Sequence, residues 1–282
     1  MASLPASMDE SRSTAPDIET GILARDLSET GVLRLTLNNP KRRNALSEAM
    51  LAALQSALED AAADPAVRVL VLAANGPAFS AGHDMKEMTV RRSDSDRGRA
   101  YFQMLMETCA RMMQSIVNHP KPVIAEIAGV AAAAGCQLAA SCDLAIAGRN
   151  AQFCTPGVHI GLFCSTPMVA LSRSVSSKHA MEMLLTGDMI TAERALEMGL
   201  VNRVVDEADL SAETTALADQ IAGKSLYTLK VGKQAFYRQT EMDLSDAYDY
   251  CASVMTENML ARDAEEGISA FIEKRAPTWH DE

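Results

Sequence analysis

Two short runs of small residues, each set between an apolar stretch and a helix-like stretch, most restrict how this chain can fold. The first is Ala78-Phe79-Ser80-Ala81-Gly82-His83-Asp84-Met85-Lys86-Glu87-Met88. It follows Val67-Arg68-Val69-Leu70-Val71-Leu72-Ala73-Ala74, an apolar run that reads as a buried strand. The second is Gly129-Val130-Ala131-Ala132-Ala133-Ala134-Gly135-Cys136-Gln137-Leu138, behind the strand-like Val123–Ala128. A small-residue turn between strand and helix leaves backbone N–H groups without intrahelical partners, where they can hold developing negative charge. Two such turns suggest two donors converging on one carbonyl oxygen.

The remaining pattern agrees with an α/β class. Gly31 to Leu37 alternates apolar and polar residues and reads as a strand, broken at Asn38-Asn39-Pro40. Asn44 to Ala63 reads as a helix, with Leu46, Met50, Leu54 and Leu58 on one face, ended by Asp64-Pro65. Arg91 to Arg99 reads as a charged loop, Tyr101 to Asn118 as a helix, and Asp143 to Ala147 as a strand. Two or three helices are expected between Pro167 and Gly199. Past Val205 the pattern is wholly helical, with candidates at 208–223, 226–237, 243–260 and 263–274. Strands alternating with helices indicate an α/β core. We therefore expect a tail over residues 1–16, a core over 17–205 and a helical segment over 206–282. The tail is rich in Ser and Ala and lacks both a basic start and an apolar region of signal-peptide type, so it reads as disordered.

Composition removes several function classes. A net charge of −11 argues against nucleic acid as a partner, because that needs a basic face. No apolar run approaches the roughly eighteen residues of a membrane span. The six Cys show no C-x-x-C pair and no His spacing of a zinc site, so they read as reduced thiols of a cytoplasmic protein, with no metal expected. With aromatic residues at 4%, the core must be built from aliphatic side chains, the 17 Met among them.

FSAGHDMKEM, IAGVAAAAGCQLAASCDLAIA and LLTGDMITAERALEMGLVNRVV, in this order, resemble the enoyl-CoA hydratase/isomerase (crotonase) superfamily from about Gly31 to Pro277. The segments PGV and GLFCSTP beside Gln137 resemble its enoyl-CoA hydratase domain-containing subgroup. The resemblance implies a spiral of β-β-α turns followed by helices that build trimers, often paired into hexamers. It implies a coenzyme A thioester as substrate or ligand, with no prosthetic group, in fatty acid metabolism. By motif position the oxyanion donors should be the backbone N–H groups of His83 and Ala134. The hydratase general base and acid are two Glu, and their positions here hold Gln137 and Gly157. Losing an acid or a base typically costs ~10²–10⁴ in rate. His159, two residues from Gly157, is a candidate substitute by virtue of its pKa range. Asp84 reads as a helix cap, and Cys154, Cys164 and Ser165 as small core-lining residues. Glu126, mid-strand, would be explained by an edge or solvent-facing position. Lys41, Arg42, Arg43, Ala81 and Lys86 match positions along the nucleotide, and Phe271 and Lys274 match a C-terminal segment that covers the adenine and 3′-phosphate, often from a neighbouring subunit. Three functions stay open: hydration of a 2-enoyl-CoA, another thioester reaction such as hydrolysis, and non-catalytic acyl-CoA binding.

Overall fold

The computed structural model describes residues 21–282, so the tail expected over 1–16 lies outside the described residues. Strand β1 (Leu23–Leu27) pairs antiparallel with β2 (Val32–Leu37). Helix α1 (Glu48–Ala63) begins four residues later than its apolar spacing suggests. Asn44 instead braces the preceding loop. Its Oδ1 accepts from the Asn39 N–H and its Nδ2 donates to the carbonyls of Asn75 and Ala78. Ser47 then caps the helix by accepting from the Met50 N–H. Met50, Leu54 and Leu58 are buried on one face as expected, with Leu46 buried just ahead of them.

The chain next repeats one pattern three times: a strand in a large sheet, a short strand in a small sheet, then helix. The first turn is β3 (Val69–Ala74), β4 (Ala78–Ser80), α2 (Met85–Val90) and α3 (Arg99–Val117). The second is β5 (Val123–Ile127), β6 (Val130–Ala132) and α4 (Ala134–Ser141). The third is β7 (Leu144–Gly148), β8 (Gln152–Cys154) and, after a 3₁₀ turn, α5 (Pro167–Ser174). There follow α6 (Ser177–Thr186), β9 (Ile190–Thr191), α7 (Ala192–Met198) and β10 (Arg203–Val205). The large sheet runs β1-β2-β3-β5-β7-β10 and the small one β4-β6-β8-β9. This is the expected spiral. The segment expected as a loop over 91–99 contains a 3₁₀ turn at Arg91–Ser93, and the guanidiniums of Arg91 and Arg92 lie over the rings of Tyr101 and Phe102.

The main core lies on one face of the large sheet, where Leu33, Leu35 and Leu37 of β2 meet α1 and α3. Helix α8 (Leu210–Ala222) covers the other face, packing Ala218 and Ala222 on Val32, Val69, Val71 and Ile124. Glu126 is on that second face. It is not at an edge, because β5 is an interior strand. Its carboxylate is held 2.7 Å from Arg34 Nη1, and Arg34 also reaches Thr215 on α8. The last helices are α9 (Leu226–Gln239), α10 (Leu244–Met259) and α11 (Arg262–Glu273), α9 packing on α10 and α10 on α11.

Helix α1 has no basic residue in its last turn. Its late carbonyls are satisfied from the α3–β5 connection, where His119 Nε2 pairs with the Leu58 carbonyl at 3.0 Å and Lys121 Nζ donates to the carbonyls of Ala61 and Asp64. His119 Nδ1 accepts from the Lys121 N–H. The buried neutral imidazole is thus fully partnered, and burial holds its pKa below the usual value. His83 is shifted the same way by burial. A histidine whose pKa is lowered on folding binds fewer protons folded than unfolded, so its stabilisation is complete above the unfolded value of about 6.5 and is lost as pH falls below it. We expect the melting temperature to drop by several degrees between about pH 7 and pH 5. The drop should be smaller in His119→Gln, as scanning calorimetry would show. A melting temperature indifferent to pH over that range would refute the assignment.

Candidate functional site

The two small-residue turns meet. A β-carbon placed on Gly82 would lie 3.2 Å from the Ala134 nitrogen and 3.0 Å from the Ala132 carbonyl oxygen. Gly82 has φ +87°, the left-handed region that suits glycine. The contact is closer still at Gly135, where a β-carbon would lie 2.1 Å from the Ser80 carbonyl oxygen. The parallel pairing of β4 with β6 sets this approach. Ala133 precedes α4 with φ +50° and ψ −116°, an unusual conformation for a residue with a β-carbon. No side chain caps α4, and within the described residues neither the His83 nor the Ala134 N–H donates a hydrogen bond. Two free donors from two adjoining turns are what an oxyanion requires.

Asp84 fixes the first turn. Its Oδ1 accepts from the N–H groups of Lys86 and Glu87, capping α2 as the sequence suggests, and its Oδ2 pairs with Arg42 at 2.5 Å. Of the three basic residues after Pro40, Arg42 is therefore tied to the site, while the Arg43 carbonyl accepts from the Ala81 N–H. Lys41, Arg43, Ala81 and Lys86 are exposed. Phe271 is 84% exposed on α11, and Lys274 ends that helix in the left-handed region. Within one chain α11 packs on α10, so Phe271 faces outward.

Gln137 is buried on the first turn of α4, and its Oε1 has no partner. It lines a cleft of about 1160 Å³ between α3, α4, α5 and α9, which also takes in Asp143 and Tyr237 but not His83, Ala134 or Gly157. Gly157 is crowded: a β-carbon there would lie 2.8 Å from the Leu162 carbonyl oxygen and 2.9 Å from Cys164 Sγ. His159 is exposed, with its ring against Gly187 after α6, so it does not join Gln137 and Gly157 as a buried acid or base.

Sequence reasoning missed a gathering of thiols. Cys136, Cys154 and Cys164 are close enough to influence one another, and burial pushes them up, Cys136 to about 12 and Cys154 to about 11. Such thiols are poor nucleophiles near neutral pH, which agrees with reading Cys154 and Cys164 as lining. Among the described residues no group of His, Cys, Asp or Glu is placed to hold a metal ion, and no helix is long and apolar enough to cross a membrane.

The chain is similar to known proteins over most of its length. The family model described as enoyl-CoA hydratase/isomerase matches residues 28–282. The chain is 48% identical over 252 residues to the human enoyl-CoA hydratase domain-containing protein 3, mitochondrial, covering 89% of this chain and 82% of that protein. It is 37% identical over 248 residues to the 2,3-dehydroadipyl-CoA hydratase of Escherichia coli, covering 87% and 94%. Among solved structures it matches an enoyl-CoA hydratase of Mycobacterium smegmatis with a TM-score of 0.87 at 49% identity, covering 92% of this chain and 99% of that one. The human domain-containing protein 3 matches with the same TM-score at 46% identity, covering 92% and 100%. The word mitochondrial in the relatives' names differs from the cytoplasmic expectation drawn from the sequence.

Proposed function

The chain belongs to the enoyl-CoA hydratase/isomerase family, and on that premise we propose that it binds acyl-CoA thioesters and polarises their carbonyl between the N–H groups of His83 and Ala134. The observation that carries this reading is the abutment of Gly82 on Ala134 with both donors free. Lys41, Arg43 and Lys86 are exposed near the first turn and offer cations to the cofactor phosphates, and Arg42 reaches the same place through Asp84. Phe271 and Lys274 would serve from a neighbouring subunit. The exposed apolar side chains of α9 to α11, including Phe236, Leu244, Leu260 and Ile272, support a homotrimer or homohexamer built through these helices. Six unpaired thiols suit a reducing compartment, either the cytoplasm or the mitochondrial matrix named for the relatives.

Ordinary hydration is the weaker part of the reading. Gln137 has no proton to exchange near neutral pH, and Gly157 has no side chain. The crowding at Gly157 leaves no room for a carboxylate without shifting the Leu162 backbone. We therefore favour thioester binding with slow or no hydration. A hydrolase reading built on His159 loses its support, because that ring lies outside the site. The test follows loss of the enoyl absorbance of crotonyl-CoA and measures acyl-CoA binding by calorimetry. Binding with turnover at least ~10³-fold below a Glu-containing family member is expected. Turnover at that member's rate would overturn the role given to the two positions, and absence of binding would overturn the reading as a whole.

A further inference from the structure

Helix α11 ends beside Phe271 and Lys274, yet little of it is packed: of its residues only Asp263 and Ala270 are buried. So small an apolar contact cannot fix the direction of a helix. Polar contacts fix it instead. At Lys274 the chain turns with φ +58°, and residues 275–281 run back along α11. Arg275 grips the Glu266 carboxylate through Nη1 and Nη2, at 2.6 and 2.9 Å, and the Thr278 N–H donates to the same group. The Trp279 ring lies against Gly267, where a β-carbon would come within 3.2 Å of it. The N–H groups of His280 and Asp281 both donate to the buried Asp263 carboxylate, at 2.7 and 2.9 Å.

The far end of this strap is tied to the body of the protein. Arg68, just before β3, meets the Asp281 carboxylate with both terminal nitrogens, at 2.7 and 3.2 Å, and donates to the carbonyls of Ala222 and Lys224. Asp281 also accepts from the N–H of Leu226, the first residue of α9, at 2.6 Å. Trp279 Nε1 donates to the Gly223 carbonyl at 2.9 Å. A forked ion pair sets orientation as well as distance. Lys274 stands where a helix commonly ends in glycine, in a backbone conformation that disfavours a side chain. That conformation hands the helix over to the strap, so the strap and the Lys274 side chain are aimed together.

We propose that Asp281 is a positioning residue for the nucleotide end of the thioester: by clipping the strap to Arg68 and Leu226, it sets the pose of α11 from which Phe271 and Lys274 reach the adenine and 3′-phosphate. The inference rests on the acyl-CoA reading above and adds the group that aims its nucleotide contacts. The thioester carbonyl is held elsewhere, at the paired turns, so loss of the clip acts only on ligands that carry the nucleotide.

Calorimetry with butyryl-CoA and with butyryl-pantetheine, which lacks the nucleotide, tests this directly. Asp281→Asn keeps the shape of the side chain and removes its charge. It should weaken butyryl-CoA about tenfold, the size of one lost charge-assisted contact, and leave butyryl-pantetheine within about twofold. Lys274→Ala should show the same split. The double variant should fall no more than about twofold below Lys274→Ala, because both changes remove one contact. Equal weakening of the two thioesters by Asp281→Asn, or additive losses in the double variant, would overturn the inference and make the strap a prop of the fold. An effect of Lys274→Ala without one of Asp281→Asn would overturn it while leaving the acyl-CoA reading intact. If Phe271→Ala and Lys274→Ala both bind butyryl-CoA as the wild type does, the nucleotide lies elsewhere and the inference falls. If Asp281→Asn does not fold, Trp279, the single tryptophan of the chain, gives the readout in the wild type. Its emission should change on saturation with butyryl-CoA and stay in place with butyryl-pantetheine, and an emission unmoved by butyryl-CoA overturns the inference. Absence of binding for both thioesters would remove the acyl-CoA reading and this inference with it.

Discussion

Gly135→Ala is expected to destabilise the protein by about 2–3 kcal/mol and to weaken acyl-CoA binding on the order of 10²-fold, although alanine is the better helix former. Two effects oppose each other at this position. Within a helix, alanine in place of glycine contributes up to about 1 kcal/mol. Against that, the new β-carbon would lie 2.1 Å from the Ser80 carbonyl oxygen, 2.7 Å from its carbonyl carbon and 2.8 Å from its β-carbon. Ser80 cannot step aside easily. Its Oγ donates to the Asn44 carbonyl at 2.8 Å, and Asn44 is bonded in turn to Asn39, Asn75 and Ala78. Both residues are fully buried. The clash is with backbone held by four hydrogen bonds, so it outweighs the propensity gain. Relief requires β4 to move away from α4, which opens the Gly82–Ala134 contact. A misplacement of about 1 Å in such a constellation costs on the order of 10²-fold. Urea denaturation and calorimetry read the two effects separately. A stabilised Gly135→Ala variant with undiminished acyl-CoA affinity would show that the approach of the two turns is not what the site depends on.

The same contact shows why the sequence was legible in some places and not others. The interior strands β3, β5 and β7 and the helices past Pro167 could be read because each carries its own apolar pattern over several residues. The two turns could be read from their small residues and their place after apolar strands. Strands β4, β6 and β8 span only three residues each, too few for a period of two to show. They exist because the spiral pairs them with one another at long separation. Glu126 shows the same limit. Its reason for sitting mid-strand is Arg34, 92 residues earlier, on a face that α8 covers from further along the chain. The identities of Gln137 and Gly157 are plain in the sequence, but the crowding that excludes a carboxylate at Gly157 comes from Leu162 and Cys164 folding back over it. The outward turn of His159 onto Gly187 was equally hidden, because no local pattern says which way a lone side chain faces.

Lys233→Met should be the other severe substitution, lowering stability by about 3–4 kcal/mol. Lys233 carries α9 to the main sheet. Its ammonium lies 2.7 Å from Asp143 Oδ2 and also donates to the carbonyls of Ile116 and Lys121. Asp143 accepts in addition from the Val123 N–H at 2.7 Å and from the Tyr237 hydroxyl at 2.9 Å. One carboxylate thereby joins the start of β5, the start of β7 and two side chains of α9. The Lys233 side chain is only 7% exposed. Burial disfavours its charge and the Asp143 carboxylate sustains it. Methionine fills a similar volume, so the loss is chiefly electrostatic: a largely buried carboxylate loses its counter-charge, and two carbonyls lose a donor. Replacing both charges together, as Lys233→Met with Asp143→Leu, removes the uncompensated charge, and the double variant should be less damaged than the sum of the single ones. A double-mutant cycle on denaturation midpoints measures that coupling. The assembly offers a second readout. If α9 to α11 build the trimer, a loosened α9 weakens association as well as folding, and sedimentation should show Lys233→Met dissociating at concentrations where the wild type stays assembled. A single variant that melts normally and sediments normally would mean that α9 is held by its apolar contacts alone, with the buried ion pair contributing register and not stability.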